Sequence, residues 1–228
     1  MRNVKVILEK QLKDTLKNRM VLIQFVLFPL MTLVMEHAVR LEGMPDLFFT
    51  KLFSVMYMGM APLTAMAAIL SEEKEKNTLR VLTMANVRPW EYLAGVGVYV
   101  WGLCMVGAAV MASGFTAGDI PFYLLVMGLG FALSVAAGAC IGVCAKNQMA
   151  ATSLVMPVMM VLSFTPMLAM FNDTIEKIAK FFYTQQMRTL LEGMTWKAVG
   201  TEEAVILGVN ALLAVMLFFA AFKRKGLE

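Results

Sequence analysis

Charged residues are scarce in this sequence, and their scarcity indicates its class. Of 228 residues, 16% are Asp, Glu, Lys or Arg and 60% are apolar, whereas soluble domains average about 25% and about 45–50%. A soluble fold of this size cannot bury so much apolar surface. The sequence therefore predicts an integral membrane protein without a large soluble domain, and its net charge of +4 does not indicate nucleic-acid binding.

Residues and motifs that bind metal ions or ATP are also few. The single histidine, His37, argues against an intramembrane metal hydrolase, which needs several metal ligands. Cys140 and Cys144 stand one helical turn apart, but no histidine or carboxylate lies near them in the sequence, so no metal site is predicted. The phosphate-loop pattern G-x-x-x-x-G-K-[ST] does not occur. The chain itself is therefore expected not to bind or hydrolyse ATP.

Six apolar runs follow one another along the chain. Each approaches the roughly 20 residues that an α-helix needs to cross a bilayer. We therefore predict an all-α membrane domain over residues 20–228 with six transmembrane helices. The runs contain no Asp, Glu or His, which argues against a secondary transporter with an ion-coupling site. They comprise residues 21–35, 47–70, 93–112, 121–143, 150–170 and 204–222.

The distribution of basic residues predicts the orientation of the spans. With six crossings, 14 of the 20 Lys and Arg residues lie on the side of the N-terminus, and cytoplasmic segments are the ones enriched in these residues. Both termini are therefore predicted to be cytoplasmic. Residues 1–19 place basic and apolar side chains on opposite sides of a helix. This pattern favours an amphipathic helix in the membrane interface over a solvated cytosolic helix.

Small residues recur at every fourth position in the fourth run. Gly130, Ser134, Gly138 and Gly142 would share one stripe of a helix, and such stripes allow another helix to approach closely in lipid. A static packing surface and an interface that slides would both need this pattern.

The inner segment between the second and third runs, residues 71–92, has the densest mixture of charges. Four acidic and four basic residues accompany a short apolar stripe. An amphipathic helix with charges of both signs fits a groove on a soluble partner, although solvated loops also carry such runs of charge.

The order of residues in segment 71–92 resembles the permease subunits of type 2 ABC (ATP-binding cassette) exporters. In that family the segment reads E-K-E-[KR]-x-x-T-L-x-x-L, followed by a proline-containing turn and an aromatic-Glu pair. Asn86 stands where the turn proline is usual, and Val96 stands where a lysine is common. The matching residues are Glu73, Lys74, Glu75, Lys76, Thr78, Leu79, Leu82, Trp90 and Glu91.

The resemblance implies partners and sites along the whole chain. A separate ATPase subunit would bind ATP and Mg²⁺ and act on segment 71–92, and two permease subunits would face each other in the cell membrane of a bacterium, in contact with lipid. Residues 171–203 would form short helices that dip into the outer membrane half and close the exit. Composition alone also allows an amphipathic helix on the outer surface. The implied ATPase contacts are Glu72, Glu75, Thr78, Leu79, Arg80 and Glu91, and the implied outer gate comprises Phe182, Tyr183, Gln185, Gln186 and Arg188.

The spans also bear on what such a protein would export. They are rich in methionine, with 22 in the chain, and methionine gives a soft, adaptable apolar lining. We expect a hydrophobic or amphipathic substrate such as an antimicrobial peptide. The alternative is a membrane immunity or sensor protein that does not transport.

Overall fold

The computed structural model describes residue 11 and residues 19–39, 43–76, 89–195 and 200–225. Regular structure in these ranges is helical. A short 3₁₀ turn, Ala112–Gly114, follows the third helix. The α-helices are α1 (Arg19–Ala38), α2 (Phe48–Glu75), α3 (Pro89–Met111), α4 (Ile120–Cys144), α5 (Gln148–Leu168), α6 (Asp173–Ala179), α7 (Tyr183–Gly193) and α8 (Thr201–Lys225).

Five of these helices, α2 to α5 and α8, are long and apolar enough to cross a membrane. At about 1.5 Å per residue, even the 21 residues of α5 match a hydrocarbon layer of about 30 Å. In α1 the stretch Leu22–Ala38 is apolar but shorter. The predicted all-helical, multi-span architecture is confirmed. The count of six spans and the cytoplasmic position of both termini stay predictions.

Helix α2 lies at the centre of the bundle. It packs against α1, α3, α4, α5 and α7, and 67% of its apolar stretch is buried. Helix α8 lies at the periphery against α4 and α7, and none of its apolar stretch is buried. We call the end of the bundle that holds Glu75 the inner end, because the basic-residue asymmetry predicts that this side is cytoplasmic.

Local sequence explains where several helices begin. The Asn147 side chain accepts a hydrogen bond from the Ala150 amide at 2.8 Å, which caps α5. Asn172 caps α6 in the same way, accepting from the amide of Thr174 at 2.9 Å. Helix α4 has Pro121 in its first turn, where proline needs no hydrogen-bond partner for its nitrogen.

The inner segment differs from its predicted boundaries. Helix α2 continues to Glu75, so residues 71–75 extend the second span as helix instead of belonging to a loop. This stretch contains Glu and Lys, which are strong helix formers, and no Gly or Pro. Helix α3 then begins at Pro89, still within segment 71–92. Most of the predicted interfacial helix 1–19 lies outside the described residues.

Candidate functional site

The inner end of α2 is fastened to the turn between α4 and α5. Lys74 Nζ donates a hydrogen bond to the carbonyl oxygen of Val143 at 2.9 Å. One Glu75 carboxylate oxygen accepts a hydrogen bond from the amide of Gln148 at 3.0 Å. We call these four residues the inner clamp.

The inner clamp matches charge to the two helix ends that it joins. Val143 lies in the last turn of α4, whose free carbonyl groups form the negative pole of the helix. Gln148 is the first residue of α5, whose free amides form the positive pole. A lysine at the first pole and a glutamate at the second are both electrostatically favourable. The inner end of α2 is therefore hydrogen-bonded to both α4 and α5.

Glu73 connects α2 to the N-terminal segment. Its side chain is buried, and one carboxylate oxygen accepts a hydrogen bond from Gln11 Nε2 at 3.3 Å. Gln11 is also buried. A residue of the predicted interfacial helix therefore lies against the same end of α2 as the inner clamp.

The predicted ATPase contacts fall into two groups. Glu72 and Glu75 lie in the last turn of α2, and Glu91 lies in the first turn of α3, where a negative charge favours the helix. Glu72 forms an ion pair with Lys76, one turn further along. Thr78, Leu79 and Arg80 lie outside the described residues.

The stripe of small residues on α4 lies against α2. Gly130, Ser134, Gly138 and Gly142 are all buried. A Cβ atom on Gly138 would lie 2.5 Å from the carbonyl oxygen of Leu63, and one on Gly142 would lie 2.7 Å from the Cβ atom of Leu70. Larger residues would therefore force α2 and α4 apart.

Ser134 also joins this stripe to the outer segment. Its hydroxyl lies 2.6 Å from the carbonyl oxygen of Met58 on α2 and 2.7 Å from the hydroxyl of Tyr183 on α7. A hydroxyl carries one hydrogen, so Ser134 donates to Met58 while Tyr183 donates to Ser134. Burial raises the pKa of Tyr183, and the hydrogen bond with Ser134 lowers it by less. The phenol therefore stays protonated and able to donate.

Helix α7 enters the bundle from the outer side. Five consecutive residues, from Tyr183 to Met187, are buried, and a helix resting on a surface would expose some of them. Gln186 Nε2 donates to the carbonyl oxygen of Lys180 at 2.6 Å. Gln185 is buried, and its side-chain oxygen has no hydrogen-bond partner in the described part of the chain. Phe182, which precedes the helix, is half-buried.

Arg188 ties α7 to the outer end of α5. One guanidinium nitrogen donates to the carbonyl oxygen of Pro166 at 2.6 Å, in the last turn of α5. The other side of the guanidinium group pairs with Glu192, with contacts of 2.8 Å and 2.7 Å. Of the predicted outer gate, Tyr183 and Arg188 thus contact the spans directly through side-chain hydrogen bonds.

A cavity of about 300 Å³ opens between α1, α2 and α5. Its walls are largely apolar and include Met60, Met156 and Met159. The Thr64 hydroxyl lies 2.8 Å from the side-chain oxygen of Gln24 across this cavity and 2.8 Å from the carbonyl oxygen of Met60, and it shares its one hydrogen between these acceptors. We call this space the inner-half cavity.

Comparison with known families decides the membership of the chain. The sequence model of a family described as ABC-2 family transporter protein matches residues 3–223. The chain belongs to this family. It is thus a permease subunit of a type 2 ABC transporter and a multi-pass integral membrane protein, and its membership implies association with an ABC ATPase. Among curated proteins, no sequence matches it.

Sequence reasoning missed several contacts of this ABC-2 permease. The partners of Lys74 and Glu75, and the position of Gln11, have no signal in the sequence, because they join residues more than 60 positions apart. The pairing of Ser134 with Tyr183 has a weak signal, since a serine interrupts an otherwise glycine stripe. In the described ranges, no group of three or more His, Cys, Asp or Glu side chains is arranged to hold a metal ion.

Proposed function

We propose that this permease forms half of the translocation pathway of an ATP-driven exporter. A separate ATPase binds ATP and Mg²⁺ and moves the inner segment, while this chain hydrolyses no ATP. A second permease subunit faces it in the cell membrane of a bacterium. The exported compound is hydrophobic or amphipathic, such as an antimicrobial peptide.

The inner clamp carries this proposal. Residues 77–88, which would meet the ATPase, directly follow the last turn of α2. That turn holds the first residue of α5 through Glu75 and the last turn of α4 through Lys74. Helix α2 spans 28 residues with Pro62 inside it, and an internal proline removes one hydrogen bond of the helix backbone. A displacement at the inner end therefore acts first on the part of α2 between Pro62 and Glu75. The clamp supports transmission of one movement to three spans.

The surface of α5 supports a second permease subunit. Only 28% of its apolar stretch is buried. Its exposed residues are mostly Met, Leu and Val, with Thr152, Ser153 and Pro157 among them. The Thr152 and Ser153 hydroxyl groups bond carbonyl oxygens within α5. Small hydroxyl-bearing residues are enriched where transmembrane helices pack against one another, which favours a subunit interface on this face.

The inner-half cavity supports the substrate class. Its lining offers methionine and other apolar side chains, three polar residues, Gln24, Thr64 and Thr152, and no charged residue. Methionine adapts to irregular apolar shapes. A charged, compact solute would find no counter-charge there. A hydrophobic or amphipathic compound would find apolar walls to contact.

The test reconstitutes the permease with the ATPase that co-purifies with it in proteoliposomes. Transport of a fluorescent amphipathic peptide and ATP hydrolysis are measured together. Lys74→Met keeps the length of the side chain but removes its hydrogen bond, and we expect about a tenfold loss of transport per ATP, in line with hydrogen bonds of charged groups. Lys146→Met is the control, because Lys146 is exposed in the neighbouring turn.

Two results would contradict the proposal. Equal transport per ATP in Lys74→Met and the unchanged permease would show that the inner clamp does not couple ATP hydrolysis to transport. Peptide binding without any ATP-dependent transport would favour the immunity or sensor protein.

A further inference from the structure

A second cavity, of about 280 Å³, lies between the outer ends of α2, α5 and α7. Its walls are largely apolar and include Phe48, Val55 and Pro166. Three charged side chains also line it, namely Lys51, Arg188 and Glu192. We call this space the outer cavity.

The charges of the outer cavity do not cancel. Arg188 and Glu192 form a two-contact ion pair, and the remaining direction of the guanidinium group is occupied by the carbonyl oxygen of Pro166. This pair is neutral and fixed in position. Lys51 Nζ has no hydrogen-bond or ion-pair partner within the part of the chain that the structure describes. Among the described residues that line the outer cavity, one positive charge is therefore left without a balancing negative charge.

The position of Lys51 matches the boundary of the membrane. It lies in the first turn of α2, three residues after Phe48. Phe48, Leu52 and Val55 line the outer cavity together with Lys51, so apolar side chains of the same helix accompany the lysine there. A lysine near a helix end extends its ammonium group to the level of lipid headgroups.

We propose that the outer cavity binds the headgroup of an anionic phospholipid, with the phosphodiester at Lys51 and the start of the acyl chains against the apolar walls. A phosphodiester carries one negative charge and thus balances the ammonium group of Lys51, which has no partner among the described residues. Inorganic phosphate fits less well, because it offers nothing to the apolar walls and would need more than one cation or donor. This site is separate from the inner-half cavity and does not depend on export.

The test is native mass spectrometry of the full-length permease from mixed micelles of phosphatidylglycerol and phosphatidylcholine. The unchanged permease should retain phosphatidylglycerol preferentially. Lys51→Gln should lower the retained phosphatidylglycerol about fivefold, the effect expected for one basic residue near a membrane surface, and Lys51→Arg should preserve it. Lys177→Gln is the matched control, because Lys177 is exposed on α6 outside the cavity and should change little.

Glu192→Gln provides a test in the opposite direction. It leaves Arg188 without its counter-charge, so retained phosphatidylglycerol should rise, and this result is decisive even where Lys51→Gln does not fold. No lipid preference in the unchanged permease, equal losses in Lys51→Gln and Lys177→Gln, or no rise in Glu192→Gln would each overturn the site. Displacement of the lipid by millimolar glycerophosphoglycerol would show a site for the soluble anion alone and would overturn the lipid assignment.

Discussion

The hydroxyl oxygens of Ser134 and Tyr183 lie 2.7 Å apart and join α4 to α7. Ser134 contacts the carbonyl oxygen of Met58 at the same time, so one small side chain connects two spans and the outer helix. Ser134 and Tyr183 are both buried. A movement between α2 and α4 at this level would therefore displace α7.

The contribution of the Tyr183 hydroxyl group can be tested by removing that group. Tyr183→Phe leaves the hydrogen bond from Ser134 to Met58 in place and should cost about 1 kcal/mol of unfolding free energy, or about 2–4 °C in the Tm of a chain of this size. Tyr123→Phe is the control, because its hydroxyl lies 2.7 Å from Ser54 between α2 and α4. Thermal unfolding in detergent should show similar losses, while transport should fall only in Tyr183→Phe. Equal transport in both variants would contradict a role for α7.

The close approach of α2 and α4 predicts opposite effects at two helical glycines. Gly138→Ala places a Cβ atom against the backbone of α2 and should destabilise the permease by about 1–3 kcal/mol. Gly208→Ala in α8 meets no atom within 4 Å and should be neutral or stabilise by up to about 1 kcal/mol. Thermal unfolding measures both. A stable Gly138→Ala variant would show that α4 moves away from α2 at little cost.

Glu75 should affect coupling without affecting insertion. Glu75→Ala removes the acceptor for the Gln148 amide, and we expect normal membrane insertion with ATP hydrolysis that responds less to substrate. Glu75→Gln keeps a side-chain oxygen and should retain most of the response, because a neutral acceptor still satisfies the amide. Identical ATPase stimulation in Glu75→Ala and the unchanged permease would exclude this contact from coupling.

Thr64 should influence substrate affinity through the inner-half cavity. Thr64→Val removes the hydroxyl that bonds Gln24 and keeps nearly the same volume. We expect the KM of transport to change severalfold while the maximal rate changes little. Thr32→Val is the control, because Thr32 is buried and bonds the Phe28 carbonyl group within α1. A change in maximal rate without a change in KM would contradict a role of Thr64 in substrate binding and would indicate a role in the conformational change of transport.

The sequence predicted what depends on local patterns. Apolar runs located the spanning helices, and the four-residue spacing located the face of α4 that meets α2. The inner boundary was missed because Glu and Lys after Leu70 are polar enough to suggest a loop, yet favour continuation of the helix. The inserted position of α7 was left open because its composition is amphipathic. Only its burial among the spans distinguishes the two possibilities.

The inner clamp has a further consequence for how the spans can move. Charges alternate along the end of α2 in the order Glu73, Lys74, Glu75 and Lys76. A screw-like slip of α2 by one residue in either direction would place a carboxylate beside the carbonyl group of Val143 and an ammonium group beside the amide of Gln148. Both contacts would then be repulsive. The alternation therefore opposes a one-residue slip of α2 against α4 and α5 and favours the register that the structure shows.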